Sequence, residues 1–158
     1  MLDTYTILDA IAKAVAGYAT LSTWSNTIYG NGVTVSINYQ KAEPPGDSDC
    51  PYCVVYPIAE EKGQNRRERI FTVALLLDIY DTEVDTRSEA NITEYKGTER
   101  LKIFYQYCLT AIKAISALRE AQIAVYTEFD VTSMYPLHEA AVRLDITETW
   151  AMGDNPLS

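Results

Sequence analysis

Cys50-Pro51-Tyr52-Cys53 is the tightest grouping of reactive side chains in the sequence. Two thiols at this spacing can cycle between dithiol and disulfide if the first is a thiolate at neutral pH. A helix N-terminus supplies that condition, because its dipole favours the charged sulfur. The residues after Cys53 are Val54-Val55-Tyr56-Pro57, which favour an extended strand over a helix. A loop holding Pro44, Pro45, Asp47 and Asp49 leads into Cys50. The expected roles are therefore packing for Cys53 and a loop position for Cys50. A small cytosolic thiol oxidoreductase using this pair is the alternative from the enzyme class.

The remaining candidates are sparse. A structural zinc ion needs four ligands, and beyond this pair only Cys108 and His138 could contribute. They are not paired with each other, and Cys108 falls on an apolar helical stripe. His138 is the single histidine and follows Tyr135-Pro136-Leu137. No Gly-x-Ser-x-Gly elbow accompanies it, so it reads as a surface or turn histidine and not as a general base. With 7 glycines the chain has no phosphate-cradling loop, and Gly30 and Gly32 read as turn residues. Carboxylates such as Asp78 and Asp81 lie in an acidic stretch that solvation explains. No enzyme activity, metal or cofactor is expected.

Charge is distributed unevenly. Glu60 to Arg69 carries four bases and three acids, with Arg66, Arg67 and Arg69 clustered. Asp78 to Glu94 carries six acids and one base. One reading makes both segments solvated surface. The other makes the arginines a projecting arm that pairs with the acidic segment of a neighbouring copy, through Arg66, Arg67 and Arg69 on one side and Asp81, Glu83 and Asp85 on the other.

The elements that must position these residues follow from periodicity. Tyr5 to Gly17 reads as a helix, with Leu8, Ile11, Ala12 and Val15 on one face, Asp3 or Thr4 as cap and Gly17 as stop. Residues 18 to 32 carry the turn signal Gly30-Asn31-Gly32. Val33 to Tyr39 alternates as a half-buried strand. Tyr52 to Ile58 is a second strand, which Pro57 either ends or confines to an edge. Phe71 to Tyr80 is apolar on both faces and reads as the central strand. Asp81 to Thr93 has no periodicity and reads as a loop. A long helix spans about Thr98 to Glu120, with Thr98 as cap and an apolar stripe through Leu101, Phe104, Cys108, Ile112 and Leu118. Strands follow at Ile123 to Phe129 and at Ala141 to Trp150, and the tail 152–158 is expected to fray. Strands with one apolar face and few helices imply an α+β fold: a mainly antiparallel sheet of about five strands with helices packed on one face.

The 158 residues suit one domain, 1–158, and folding should bury roughly 70% of the surface of the unfolded chain. A net charge of −9 argues against gripping nucleic acid or docking on an anionic membrane. No apolar run is long enough to cross a bilayer, the start Met1-Leu2-Asp3-Thr4-Tyr5 has no basic leader, and the odd count of 3 cysteines suits a reducing cytoplasm. Tyrosine is 12 of the 17 aromatics. Tyr39, Tyr80 and Tyr105 fall on core positions, and Tyr29, Tyr52, Tyr95 and Tyr135 on contact positions near loops.

The layout as a whole resembles the tail terminator and tail-completion proteins of long-tailed bacteriophages and prophages. The resemblance runs from the first helix (Tyr5 to Ala16) and the Val33 to Tyr39 strand to Pro51-Tyr52-Cys53-Val54-Val55-Tyr56-Pro57. It continues through the long hairpin, the strand ending Asp78-Ile79-Tyr80, Leu101-Lys102-Ile103-Phe104-Tyr105 and Arg143-Leu144-Asp145-Ile146-Thr147-Glu148-Thr149-Trp150. It implies a structural protein that forms a homo-oligomeric ring, commonly a hexamer, on the tail tube. Its implied partners are other copies of itself, the tail tube protein and a head-neck or connector protein. DNA would pass through the lumen without specific binding, and no membrane is involved. It further implies assembly in the host cytoplasm and a final place at the tail-head junction of the virion. Neck, head-closure and tail-tube components share parts of this layout and form the related alternative.

Overall fold

The computed structural model describes residues 2–39, 42–43, 45–62, 67–89, 91–129 and 135–149. Arg66, Trp150 and the tail 152–158 lie outside the described residues.

Helix α1 (Thr4–Ala16) starts where the sequence places it. The Asp3 carboxylate accepts from the Thr6 backbone N–H at 3.0 Å and from the Thr6 hydroxyl at 2.6 Å, and Gly17 ends the helix. Ile7, Leu8, Ile11 and Val15 form its buried face. A second helix, α2 (Ala19–Tyr29), occupies the segment that the turn signal suggested, and Gly30, at φ 73°, closes it in the left-handed region. Its sequence is rich in Ser, Thr and Asn, which are poor helix formers because they compete for backbone hydrogen bonds. Here they bond back within the helix: Asn26 Nδ2 donates to the Ser22 carbonyl and the Thr27 hydroxyl to that of Thr23, both at 2.8 Å. Tertiary contact supplies the rest. Trp24 stacks on Phe104 and meets Tyr29 and Tyr107 edge-on.

The main sheet contains β1 (Thr34–Ile37), β2 (Tyr52–Lys62), β3 (Glu68–Tyr80), β6 (Gln122–Phe129) and β7 (Leu137–Thr149) in the order β1-β2-β3-β7-β6. Every pairing is antiparallel except β1 with β2. The fold is thus α+β with a mainly antiparallel five-stranded sheet. β3 is the central strand, as its two apolar faces imply. Pro57 does not end β2: the strand runs on to Lys62. Its neighbour β1 stops opposite Val55, so Pro57 lies where β2 has a free edge, next to a register shift between Pro57 and Ala59.

Alternation decides what each face does. Cys53 and Val55, Phe71 through Ile79 at every second position, and Ala140, Val142, Leu144 and Ile146 all point to the helical side. There they meet α1 and the long helix α3 (Lys96–Lys113), which contributes Leu101, Phe104, Cys108 and Ile112. α3 begins two residues before Thr98, with Tyr95 at the cap position, and stops at Lys113; a 3-10 turn at Ser116–Leu118 replaces its expected last turns.

The 81–93 segment is not a loop. It forms a separate ribbon, β4 (Val84–Arg87) against β5 (Ile92–Tyr95), with Arg87 and Glu94 ion-paired at 2.8 Å. The ribbon is exposed on both faces, so its strands carry no apolar alternation by which a sequence could reveal them.

Leu75 lies at the middle of β3 and is 1% exposed. Leu75→Ala should cost about 2–5 kcal/mol through cavity formation, measured by urea unfolding at constant m-value. A cost under about 1 kcal/mol would mean that this position is not tightly packed.

Candidate functional site

The two cysteines of the opening motif are separated by the sheet. Cys53 is fully buried on the helical side, close to Cys108 of α3, and burial together with Cys53 pushes the Cys108 thiol up. Cys50 is 6% exposed and belongs to a small cluster with Tyr52 and Val54 on the other face. No helix N-terminus meets it: a single 3-10 turn, Asp47–Asp49, ends at Cys50, and β2 follows. Burial, and then the charges of Asp78, Asp47 and Asp49, push its thiol up to about 12. That is opposite to the shift a redox nucleophile needs. Among the described residues, no group of three His, Cys, Asp or Glu side chains could hold a metal ion.

His138 is not a surface residue. It is 5% exposed on the helical side of β7, beside the first turn of α3. Gly97 makes this possible, since a Cβ there would collide with the His138 ring. Tyr135 meets the ring edge-on at 6.4 Å, and Tyr95 in turn meets Tyr135 at 5.1 Å.

The charged segments divide into buried and exposed members. Arg69 is 7% exposed; it donates to Glu60 at 2.6 Å and lies over the Phe71 ring at 5.1 Å. Glu60 also takes Lys62 at 2.9 Å and the Thr4 hydroxyl at 2.8 Å, and hydrogen bonds from Arg69 and Lys62 hold its carboxyl down to about 2. Asp81 is likewise buried. It accepts from Arg100 at 2.8 Å, from the Tyr29 hydroxyl at 2.8 Å and from the Glu83 backbone N–H at 2.9 Å. Burial works to raise its pKa, but these donors, Arg100 foremost, hold it below the usual carboxylate range. Arg69 and Asp81 are therefore spent on partners within the chain. Arg67, Glu83 and Asp85 are exposed. Glu83 takes the other arm of Arg100 at 2.6 Å, and Asp85 lies 3.8 Å from Lys96.

The two exposed groups lie at opposite ends of one strand. Arg67 immediately precedes β3, and Glu83 and Asp85 follow its last residue. Thirteen residues at about 3.4 Å each place these ends roughly 40 Å apart. Around the acidic end, apolar side chains that charge counting overlooked also reach solvent: Val84, Ile92 and Tyr95 on the ribbon, with Tyr135 beside them. A shallow groove of about 560 Å³ runs between the ribbon and α3, lined by Arg87, Ile92, Tyr95, Glu99 and Lys102. Of the tyrosines read as contacts, Tyr95 and Tyr135 are half-exposed, Tyr29 holds Asp81, and Tyr52 is buried. Tyr39 and Tyr80, read as core, are partly exposed, and Tyr105 packs edge-on against Phe129.

Among the described residues, no helix is long and apolar enough to cross a membrane. No protein-family model matches the chain, and no curated protein matches it.

The thiol environment has a measurable consequence. Raising the Cys50 pKa from 9.0 to about 12 lowers its thiolate fraction at neutral pH roughly a thousandfold. Alkylation of the native protein at pH 7.5 should be at least about a hundredfold slower than in denaturant. Rapid labelling of Cys50 in the native state would return the thiol oxidoreductase to consideration.

Proposed function

We propose that this chain is a virion structural protein of a long-tailed bacteriophage or prophage: a tail terminator whose copies close into a ring, capping the tail tube and joining it to the head. The observation that carries this reading is the separation of unlike surfaces along β3. Exposed Arg67 lies at one end, and an acidic ribbon with exposed apolar side chains lies at the other. Complementary patches on opposite ends of one protomer favour head-to-tail contact, and such contacts close into rings when the rotation permits. A two-fold dimer would instead need one self-complementary patch.

Two further features agree. The β4–β5 ribbon is a two-stranded element with exposed strands, marginal by itself and suited to being ordered against a neighbour. The net charge of −9 suits a conduit through which DNA must slide without being held. The contact set is accordingly Arg67 of one copy against Glu83 and Asp85 of the next, with Val84, Ile92 and Tyr95 supplying apolar area. Arg69 and Asp81 serve as scaffold on either side.

A charge swap tests this. Arg67→Glu alone, and Asp85→Arg alone, should each weaken self-association by about threefold to tenfold at low salt, read by sedimentation velocity, without lowering the melting temperature. Mixing the two variants should restore association at both ends of each protomer, because in alternating copies every contact again joins unlike charges. Unchanged association of both single variants would remove this interface. Failure of the wild-type protein to bind tail tubes would remove the terminator reading itself.

A further inference from the structure

The face of the sheet turned away from the helices has its own buried charge. Asp78 lies in β3 between Tyr52 of β2 and Glu139 of β7; both are its direct register partners. It is 0% exposed, and neither of its oxygens reaches full hydrogen-bond geometry, although the Tyr52 hydroxyl and the Glu139 carboxyl both face it. Cys50 packs on the same cluster from the preceding turn, where it faces the backbone N–H of Tyr80 and lies 3.9 Å from the Gly46 carbonyl. The groups around Asp78 are thus Tyr52 from β2, Glu139 from β7, and Cys50 from the turn, with Asp47 and Asp49 beyond it. Among the described residues, none of the groups that face Asp78 is a cation. A buried carboxylate beside a second carboxylate, with no cation among these neighbours, is costly, and a shared proton relieves it.

We propose that Asp78 and Glu139 form a proton-dependent latch: with one proton on the pair, the Asp47–Asp49 turn and Cys50 close over the end of the sheet, and loss of that proton loosens them. Deprotonation places two like charges on neighbouring strands, beneath a turn that itself carries Asp47 and Asp49. Repulsion then acts on the turn that leads into Cys50, the residue that packs with Tyr52 and Val54. The rest of the sheet does not depend on this corner, because its core lies on the opposite face.

The sign follows from the direction of the shift. Burial first, and Glu139 second, raise the Asp78 carboxyl from 3.8 to about 7, against the Tyr52 hydroxyl, which lowers it. The folded state therefore holds a proton that the unfolded state has lost. Stability from this group is complete below pH 3.8, declines as pH rises, and is gone above about 7.

The test is a carboxyl-carbon NMR titration of the full chain, combined with hydrogen exchange of the Asp49 and Cys50 amides corrected for intrinsic rate. Asp78 should titrate near neutrality. Protection of the two amides should fall by about tenfold or more between pH 5.5 and 8. In Asp78→Asn, which cannot ionise, protection should stay flat. Should that variant not fold, Glu139→Gln serves instead: removing the second charge should move the Asp78 midpoint, and the loss of protection with it, to lower pH. An Asp78 midpoint below 5 would overturn the proposal. So would equal pH responses in wild type and Asp78→Asn, or a wild-type turn whose protection does not change. None of these outcomes tests ring formation, whose contact residues Arg67, Glu83 and Asp85 lie outside this cluster.

Discussion

The pairing of β3 on both sides along nearly its whole length is the constraint on which the molecule depends. Every residue from Glu68 to Tyr80 has a partner in β7, and most have one in β2. Once this strand is central, period-two alternation sends Phe71, Val73, Leu75, Leu77 and Ile79 to one side and forces two helices to cover them. The same alternation sends Asp78 to the face opposite α1 and α3. The length of β3 also sets the distance between Arg67 at its start and the acidic ribbon at its end. The core, the buried carboxylate and the spacing of exposed charges are thus three consequences of one strand.

Electrostatics divides the remaining work. An acidic chain of net charge −9 has few cations, and the fold places several of them at specific points. Arg100 holds Asp81 and Glu83 together where β3 hands over to the ribbon, and Arg69 holds Glu60 beside the start of α1. Arg69 is buried and Arg100 largely covered, and each gives its carboxylate a charged partner beside the donors that carboxylate already has. Arg67 at one end, and Glu83 with Asp85 at the other, are exposed to solvent, although Glu83 also takes Arg100 and Asp85 lies near Lys96. Asp78 is the exception, a buried acid whose facing groups, among the described residues, include no arginine or lysine.

Strong periodicity made most of the fold legible in sequence. α1, with its Asp3 cap and Gly17 stop, could be read from spacing, as could β3, β6, β7 and the apolar stripe of α3. What escaped had physical reasons. α2 is built from Ser, Thr and Asn and held by Trp24 stacking on Phe104, a contact across 80 residues that no local pattern encodes. The β4–β5 ribbon is exposed on both faces and so has no alternation. At the candidate site, the arginine cluster and the acidic stretch could be located by counting charges. Counting could not reveal that Arg69 and Asp81 are internal, because burial is set by distant partners: Phe71 beneath one, Arg100 and Tyr29 around the other. Gly97 was the missed clue to His138, since its lack of a side chain makes the room for that ring.

The central claim is that unlike surfaces at the two ends of β3 join copies head to tail into a closed ring. Negative-stain electron microscopy of the concentrated wild-type protein, alone and with tail tubes, tests it most directly. The account predicts annuli of uniform diameter with a central opening, seated at the ends of tubes. Monomers at every concentration, or two-fold dimers with no affinity for tubes, would contradict it.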